Sequence, residues 1–226
     1  ANEGTYFDNI IDTNGIADAY HVVQCVSGED ADTIIEGFTI TGGNANGDGS
    51  GDPYNHTYYG GGMGCQDSSP TVINCTFKDN SAGESGGGIM YNRSNHPTVS
   101  NCAFIGNTAS YGAGMWNGES GYVTVTHCTF STNTAGCGGG MYNYDADYGG
   151  PVDNCTFSGN RAYREGGGMH NFNSNPKVTN CTFSGNTAEF GGGGMANERP
   201  NSPFVFNCTF SNNHTVGRGG GILYKD

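Results

Sequence analysis

The chain has 226 residues, enough for one solenoid domain. Its formal net charge is −13 with only 8 Lys and Arg, which argues against nucleic acid and anionic membrane surfaces as partners. Gly supplies 41 residues without a collagen period, and no run of 18 apolar residues could span a membrane as a helix.

Residues 1–20 do not fit any repeat, although Thr5-Tyr6-Phe7-Asp8-Asn9 has the composition of a degenerate strand. From His21 through Ile40 the chain reads as a first coil, and an insertion follows over 44–60. The phrase Asn-Cys-Thr-Phe then begins at Asn74, Asn154, Asn180 and Asn207, with variants at Asn101 and His127. The cysteines of this phrase (Cys75, Cys102, Cys128, Cys155, Cys181, Cys208) stand 26 or 27 residues apart, the mark of a repeat architecture. The last stretch, 219–226, holds only the first strand of a coil. We therefore expect a single β-solenoid domain over 1–226, with 1–20 as an N-terminal segment that could serve in assembly.

No stretch shows helical spacing of apolar residues. Short β-branched and aromatic runs cut by Gly, Asn, Asp and Pro give three strands per unit: Gly-Gly-Met-x-Asn, a run around the valine three places before each cysteine, and Cys-Thr-Phe. That is the pattern of an all-β, parallel β-helix, each coil stacked on the last at about 4.8 Å. Side chains two apart share a face, so Cys181 and Phe183 point inward with Thr182 outward. Like residues then stack as columns of Phe (Phe77 to Phe210), of Asn three places on (Asn80 to Asn213), and of all six methionines, Met63, Met90, Met115, Met141, Met169 and Met195.

Gly-Gly-Gly-Met followed by Phe-x-x-Asn resembles the paired repeats of polymorphic outer-membrane-protein passengers. Tyr20-His21-Val22-Val23 with Glu36-Gly37-Phe38-Thr39-Ile40-Thr41-Gly42-Gly43 is similar to large bacterial surface proteins of the right-handed parallel β-helix, pectate-lyase-like class. The resemblance implies right-handed winding and a surface or adhesin role, and the spacing of the repeated phrase gives about seven to eight coils of about 27 residues.

Four groups of residues are candidates for function. Cys25 and Cys65 occupy the slot that later coils give to Asn92, Asn117 and Asn143, so they lie on adjacent coils, suited to a disulfide; the other ladder cysteines read as buried thiols. Asn44, Asn46, Asp48 and Asp52 carry oxygen ligands at alternate positions, with Gly49 sixth, as in a calcium loop; Asn44 at position one and Asn55 at position twelve depart from it, and a polar insertion gives the same pattern. Tyr91, Trp116, Tyr142, His170 and Tyr224, with Tyr144 and Phe172 two places beyond, form an expected outward aromatic stripe. Such rings either stack on sugars or a neighbouring molecule, or simply stabilise the sheet. The outward pairs Thr39/Thr41, Thr129/Ser131, Thr156/Ser158, Thr182/Ser184 and Thr209/Ser211 look like the hydroxyl faces of β-solenoid ice-binding proteins, with breaks at Thr76/Lys78 and Ala103/Ile105.

Enzyme signals are thin. The basic residues share no repeat column with carboxylates, the histidines do not cluster, and Asp145 with Asp147 near Arg164 is the one acid pair. No catalytic residue is assigned. We expect a non-catalytic, exported structural protein, Ala1 following a cleaved leader, that stacks head-to-tail into filaments or serves as a surface adhesin. Polysaccharide binding or cleavage is the main alternative and ice binding a remote one; calcium is the sole cofactor in question.

Overall fold

In a computed structural model, residues 20–25, 28–47, 58–93, 96–119, 122–146, 149–199 and 203–225 are described. All strand pairing among them is parallel and joins each coil to the next, as in Val99 with Val72 and Val125, or Phe130 with Phe104 and Phe157. The strands build one 8-stranded and three 7-stranded sheets. The first runs from Val23–Cys25 to Ile222–Lys225, the second from Ile34–Glu36 to Phe204–Phe206, and the third from Thr39–Thr41 to Thr209–Ser211.

The fourth sheet was not anticipated. It starts at Asn44–Ala45 and continues through two- to four-residue strands such as Ser81–Ala82, Thr134–Cys137 and Thr187–Ala188. Most carry one inward alanine, such as Ala82, Ala135 and Ala188, too little for periodicity to register. The coil count is also lower than expected. Six regular turns of about 27 residues separate the successive left-handed glycines Gly60, Gly86, Gly112, Gly138, Gly166, Gly192 and Gly219. The turn before them, from Val23 to its partner Met63, contains the insertion and is much longer.

The repeated phrase is explained residue by residue. In Asn-Cys-Thr-Phe the Asn stands at the corner between the second and third sheets with positive φ, 54° at Asn74 and 52° at Asn207, a region that Asn tolerates. His127 takes the same geometry, at 54°. Cys and Phe then point inward. The Phe rings from Phe77 to Phe210 stack at centroid distances of 4.6–5.1 Å, nearly parallel. The six cysteines beside them are free thiols, buried but for Cys208, which is half-buried. The Cys75 N–H donates to Cys102 Sγ at 3.4 Å, and Cys102 Sγ–H to the Ser100 carbonyl at 3.2 Å.

The Asn column is the strongest polar element of the core. Asn133 Nδ2 donates to the Phe104 carbonyl on the coil before (3.0 Å) and to Asn160 Oδ1 on the coil after (2.9 Å). Its own Oδ1 accepts from the backbone N–H and Nδ2 of Asn107. The same pattern runs from Asn80 to Asn186. Buried amides are thus fully paired, the condition under which they stabilise a core.

The methionine column is corrected at one coil. Ile89 pairs with Met63 and Met115, so Ile89 is the inward residue there and Met90 shares the outward column with Gly64 and Trp116. The register is set by the Gly triplets: Gly86-Gly87-Gly88 places Ile89 where Gly112-Ala113-Gly114 places Met115. A Cβ on Gly88 would lie 2.4 Å from the Gly114 carbonyl oxygen, which explains why this corner admits no side chain.

Candidate functional site

The slip at Ile89 overturns one member of the aromatic stripe, and the register at Ile222 shifts another. Tyr91 pairs with Cys65 and Asn117 and is fully buried, so it faces the core, and the slot of Cys25 and Cys65 continues through Tyr91 rather than Asn92. Tyr224 pairs with Asn197, so it takes the inward register with Leu223 in the outward slot, but in this last described coil its ring is exposed. Ile222 follows its glycines as Ile89 does, and in both coils one extra apolar residue precedes the tyrosine.

The remaining five members hold their places on the outer face of the first sheet. Trp116, Tyr142 and His170 share one column; Tyr144 and Phe172 share the next, together with Gln66, Asn92, Gly118 and Glu198. They line an open groove of about 650 Å³. It extends from the coil of Gln66 to that of Glu198, five strand steps or roughly 24 Å at ~4.8 Å each. Its flank beyond the glycine corner includes Tyr59, Glu84, Tyr111, Cys137, Arg164 and Glu165. These flanking residues were not found from sequence, because they come from a different part of each coil and carry no repeated residue type.

The rings do not lie flat as platforms. Tyr144 stacks on Phe172 at 5.5 Å and 9°, and Trp116 on Tyr144 at 6.4 Å and 21°. The Arg199 guanidinium covers the far side of Phe172, 4.5 Å from its centroid. The stack therefore runs along the coil axis and turns ring edges toward solvent. Beside it, Tyr142 is buried, tilted against Tyr111 and edge-on to His170.

Charges in the groove are mostly paired. Arg93 Nε meets Glu119 Oε2 at 2.9 Å and Arg164 Nε meets Glu165 Oε2 at 3.8 Å. Lys225 Nζ lies 3.1 Å from Glu198 and 3.7 Å from Glu165. His170 is buried, its Nε2 3.5 Å from Glu198 Oε2. His170, then Lys225, hold the Glu198 carboxyl down to about 2, against the opposing effect of burial. Glu84 accepts from the Tyr59 hydroxyl at 3.4 Å. Burial pushes the Tyr142 hydroxyl and the Cys137 thiol up, so both stay protonated at neutral pH.

The other candidates stand as follows. Cys25 and Cys65 are register partners on adjacent coils, both fully buried, and are present as free thiols. Of the calcium-loop residues, Asp48 and Asp52 lie outside the described residues. Asn46 Nδ2 donates to Asn44 Oδ1 and, at 3.1 Å, to Ser81 Oγ. Among the described residues no cluster of three His, Cys, Asp or Glu is arranged to hold a metal ion. Asp145 accepts from Asn173, while Asp147 lies outside the described residues. The hydroxyl array is in register on the third sheet, Thr129 to Thr209 in one column and Ser131 to Ser211 in the other, interrupted where Ala103, Ile105 and Lys78 stand. Among the described residues no helix is long and apolar enough to cross a membrane.

A family model described as "Right handed beta helix region" matches residues 3–172 and again 120–225. The narrower likeness to outer-membrane passenger repeats is not part of that match. No curated protein and no solved structure matches the chain.

Proposed function

This chain belongs to the right-handed β-helix family, and we propose that it acts without catalysis, as an extracellular structural module whose groove on the first sheet is an adhesive site for carbohydrate. The single observation that carries the reading is the groove itself: a concave, aromatic-lined channel along the coil axis, flanked by acids and amides. Aromatic walls with fixed polar groups suit polyhydroxylated ligands. A non-catalytic role is favoured because the carboxylates of the groove are engaged, Glu119 with Arg93, Glu165 with Arg164 and Lys225, Glu198 with Lys225 and His170, and Glu84 with the Tyr59 hydroxyl, so none stands as a separate acid and base pair for glycoside cleavage. The test is a glycan array probed with the purified chain, followed by a reducing-sugar assay on each ligand. Retention of glycans without release of reducing ends is expected; binding to none refutes the reading, and turnover refutes the non-catalytic part.

A second reading, end-to-end assembly, is favoured by one observation. In the last described coil the core columns are partly open: Val205, Phe210 and Ile222 are half-buried, whereas Val178, Phe183 and Met195 one coil earlier are fully buried. Phe204 and Phe206 are exposed beside them. Among the described residues the strands of this coil pair on one side only, and another parallel coil, from this chain or a second copy, would cover these columns. Sedimentation over a concentration series, with filaments imaged by negative stain, tests it. A single species independent of concentration rules it out.

A further inference from the structure

We infer that Asn74 is an acceptor for N-linked oligosaccharide, and that the corner between the second and third sheets carries the glycans of this chain. The inference is independent of the groove and rests only on the extracellular part of the reading above. The sequence holds Asn-x-Ser/Thr seven times, and four of the seven fall at this one corner, as Asn-Cys-Thr beginning at Asn74, Asn154, Asn180 and Asn207. There the chain bends with positive φ, 54° at Asn74 and 52–54° at the other three. Each of these Asn side chains is exposed, and the Thr two places on stands on the outer side of the third sheet.

Asn74 has the most room. Its corner neighbour on the coil before is Gly37, where a Cβ would meet nothing within 4 Å. Its neighbour on the coil after is Asn101, which is followed by Ala103 and so lacks the acceptor motif. Asn74 Nδ2 donates to Glu36 Oε1 at 3.0 Å. An amide nitrogen carries two hydrogens, so a sugar can replace one while the other keeps Glu36. In the transfer, Nδ2 bonds to the anomeric carbon of an oligosaccharide carried on a polyprenyl diphosphate. The bond from that carbon to the phosphate oxygen breaks, the diphosphate leaves with the electron pair, and the amide gives up a proton.

Stacking limits the other three sites. Asn154, Asn180 and Asn207 lie on consecutive coils, ~4.8 Å apart, a step narrower than an oligosaccharide. The folded chain therefore has room for glycans at Asn154 and Asn207, or at Asn180, but not at all three. Asn213-His214-Thr215 also matches the motif, yet Asn213 Nδ2 donates to the Phe183 carbonyl at 2.8 Å and its Oδ1 accepts from Asn186, so a glycan would pull it out of the spine. Asn92 lines the groove, and Asn55 lies outside the described residues. Groove residues come from the first sheet and the flank beyond the glycine corner, so glycans between the second and third sheets leave it open.

The full chain is directed by a cleavable leader into the secretory pathway of a mammalian cell line. Secreted and retained chains are both treated with peptide:N-glycosidase F in heavy-oxygen water and mapped by mass spectrometry, which marks each former glycan site as a labelled Asp. Intact mass before treatment gives the number of glycans per molecule. Label at Asn74 in most molecules is expected, with at most two of Asn154, Asn180 and Asn207 occupied together and none at Asn213. Thr76→Ala and Asn74→Asp should each abolish the label at position 74; the first leaves the corner residue in place, and the second keeps a residue type that tolerates positive φ. Absence of label at Asn74 from both pools overturns the site. Molecules carrying glycans on all of Asn154, Asn180 and Asn207 overturn the limit set by coil spacing, and label at Asn213 with none at the corner overturns the corner assignment. A chain labelled at Asn74 but wholly retained supports the site and counts against the extracellular reading.

Discussion

Two asparagine ladders run through the core, and only one is complete. The ladder from Asn80 to Asn213 crosses every regular coil, and its first oxygen accepts from the Gly43 N–H at 3.0 Å. The ladder on the first sheet spans only Asn117, Asn143, Asn171 and Asn197, joined Nδ2 to Oδ1 at 2.7–2.8 Å. It stops where Tyr91 and Tyr224 take the slot. Its terminal atoms, Asn117 Oδ1 and Asn197 Nδ2, are buried without a hydrogen-bond partner, as is the Tyr91 hydroxyl. The same residue type therefore makes a continuous polar spine at one corner and a short segment with unsatisfied ends at another. The first ladder sits at a corner where Asn also bonds the backbone; the second sits mid-strand, where amides bond only one another.

This difference sets an order of mutational effects. Asn133→Ala strips four hydrogen bonds from the complete spine and leaves buried donors and acceptors unmatched, a loss of about 3–5 kcal/mol in urea unfolding. A loss below about 1 kcal/mol would show that the spine is not a principal source of stability. On the outer flank of the shorter ladder, Glu198 stabilises the fold above its unfolded carboxyl value of 4.5, and this contribution is lost as pH falls through about 2. Glu198→Gln should accordingly flatten the stability-versus-pH curve between those values by about 1–2 kcal/mol after solvent screening, as read by thermal melts in acid. Next, Asn117→Ala removes one ladder bond and transfers the unsatisfied buried oxygen from Asn117 to Asn143, for a net loss of about 1 kcal/mol in the same urea assay. Smallest is Tyr91→Phe, which deletes an unpaired buried hydroxyl and should leave the melting temperature unchanged or raise it by about 2–4 °C. A fall of that size would mean the hydroxyl has a partner after all.

The sequence discloses a column wherever one residue type recurs in it. The Phe, Cys and corner Asn positions repeat in kind, and their inward registers are as the alternation predicts. The alignment fails where it follows a residue that is interchangeable. Met90 is as apolar as Ile89, so tracking methionine shifted that coil by one and sent Tyr91 to the wrong face. Tracking the Gly triplets would have avoided this, since backbone from the next coil occupies the space of a Cβ there. The groove was half legible. Trp116, Tyr142, Tyr144, His170 and Phe172 follow from spacing, but the flank from Tyr59 and Tyr111 to Glu165 exists only once coils are stacked. That the rings stack edge-out, with Trp116 folded over Gly118, depends on side-chain torsions that residue spacing does not specify.

The glycine corner constrains how such a protein can change length. Gly88, Gly114, Gly140, Gly168 and Gly194 each lie so close to the carbonyl of the following coil that a methyl group would sit 2.4–2.6 Å from it. A gain or loss of a residue in the segment that runs directly into this corner would put a bulky side chain there and pry two coils apart. Duplication or deletion of one full period keeps every glycine opposite its neighbour. Such chains should therefore lengthen and shorten in whole periods, with irregular additions confined to the stretches between strands, as between Ala45 and Met63.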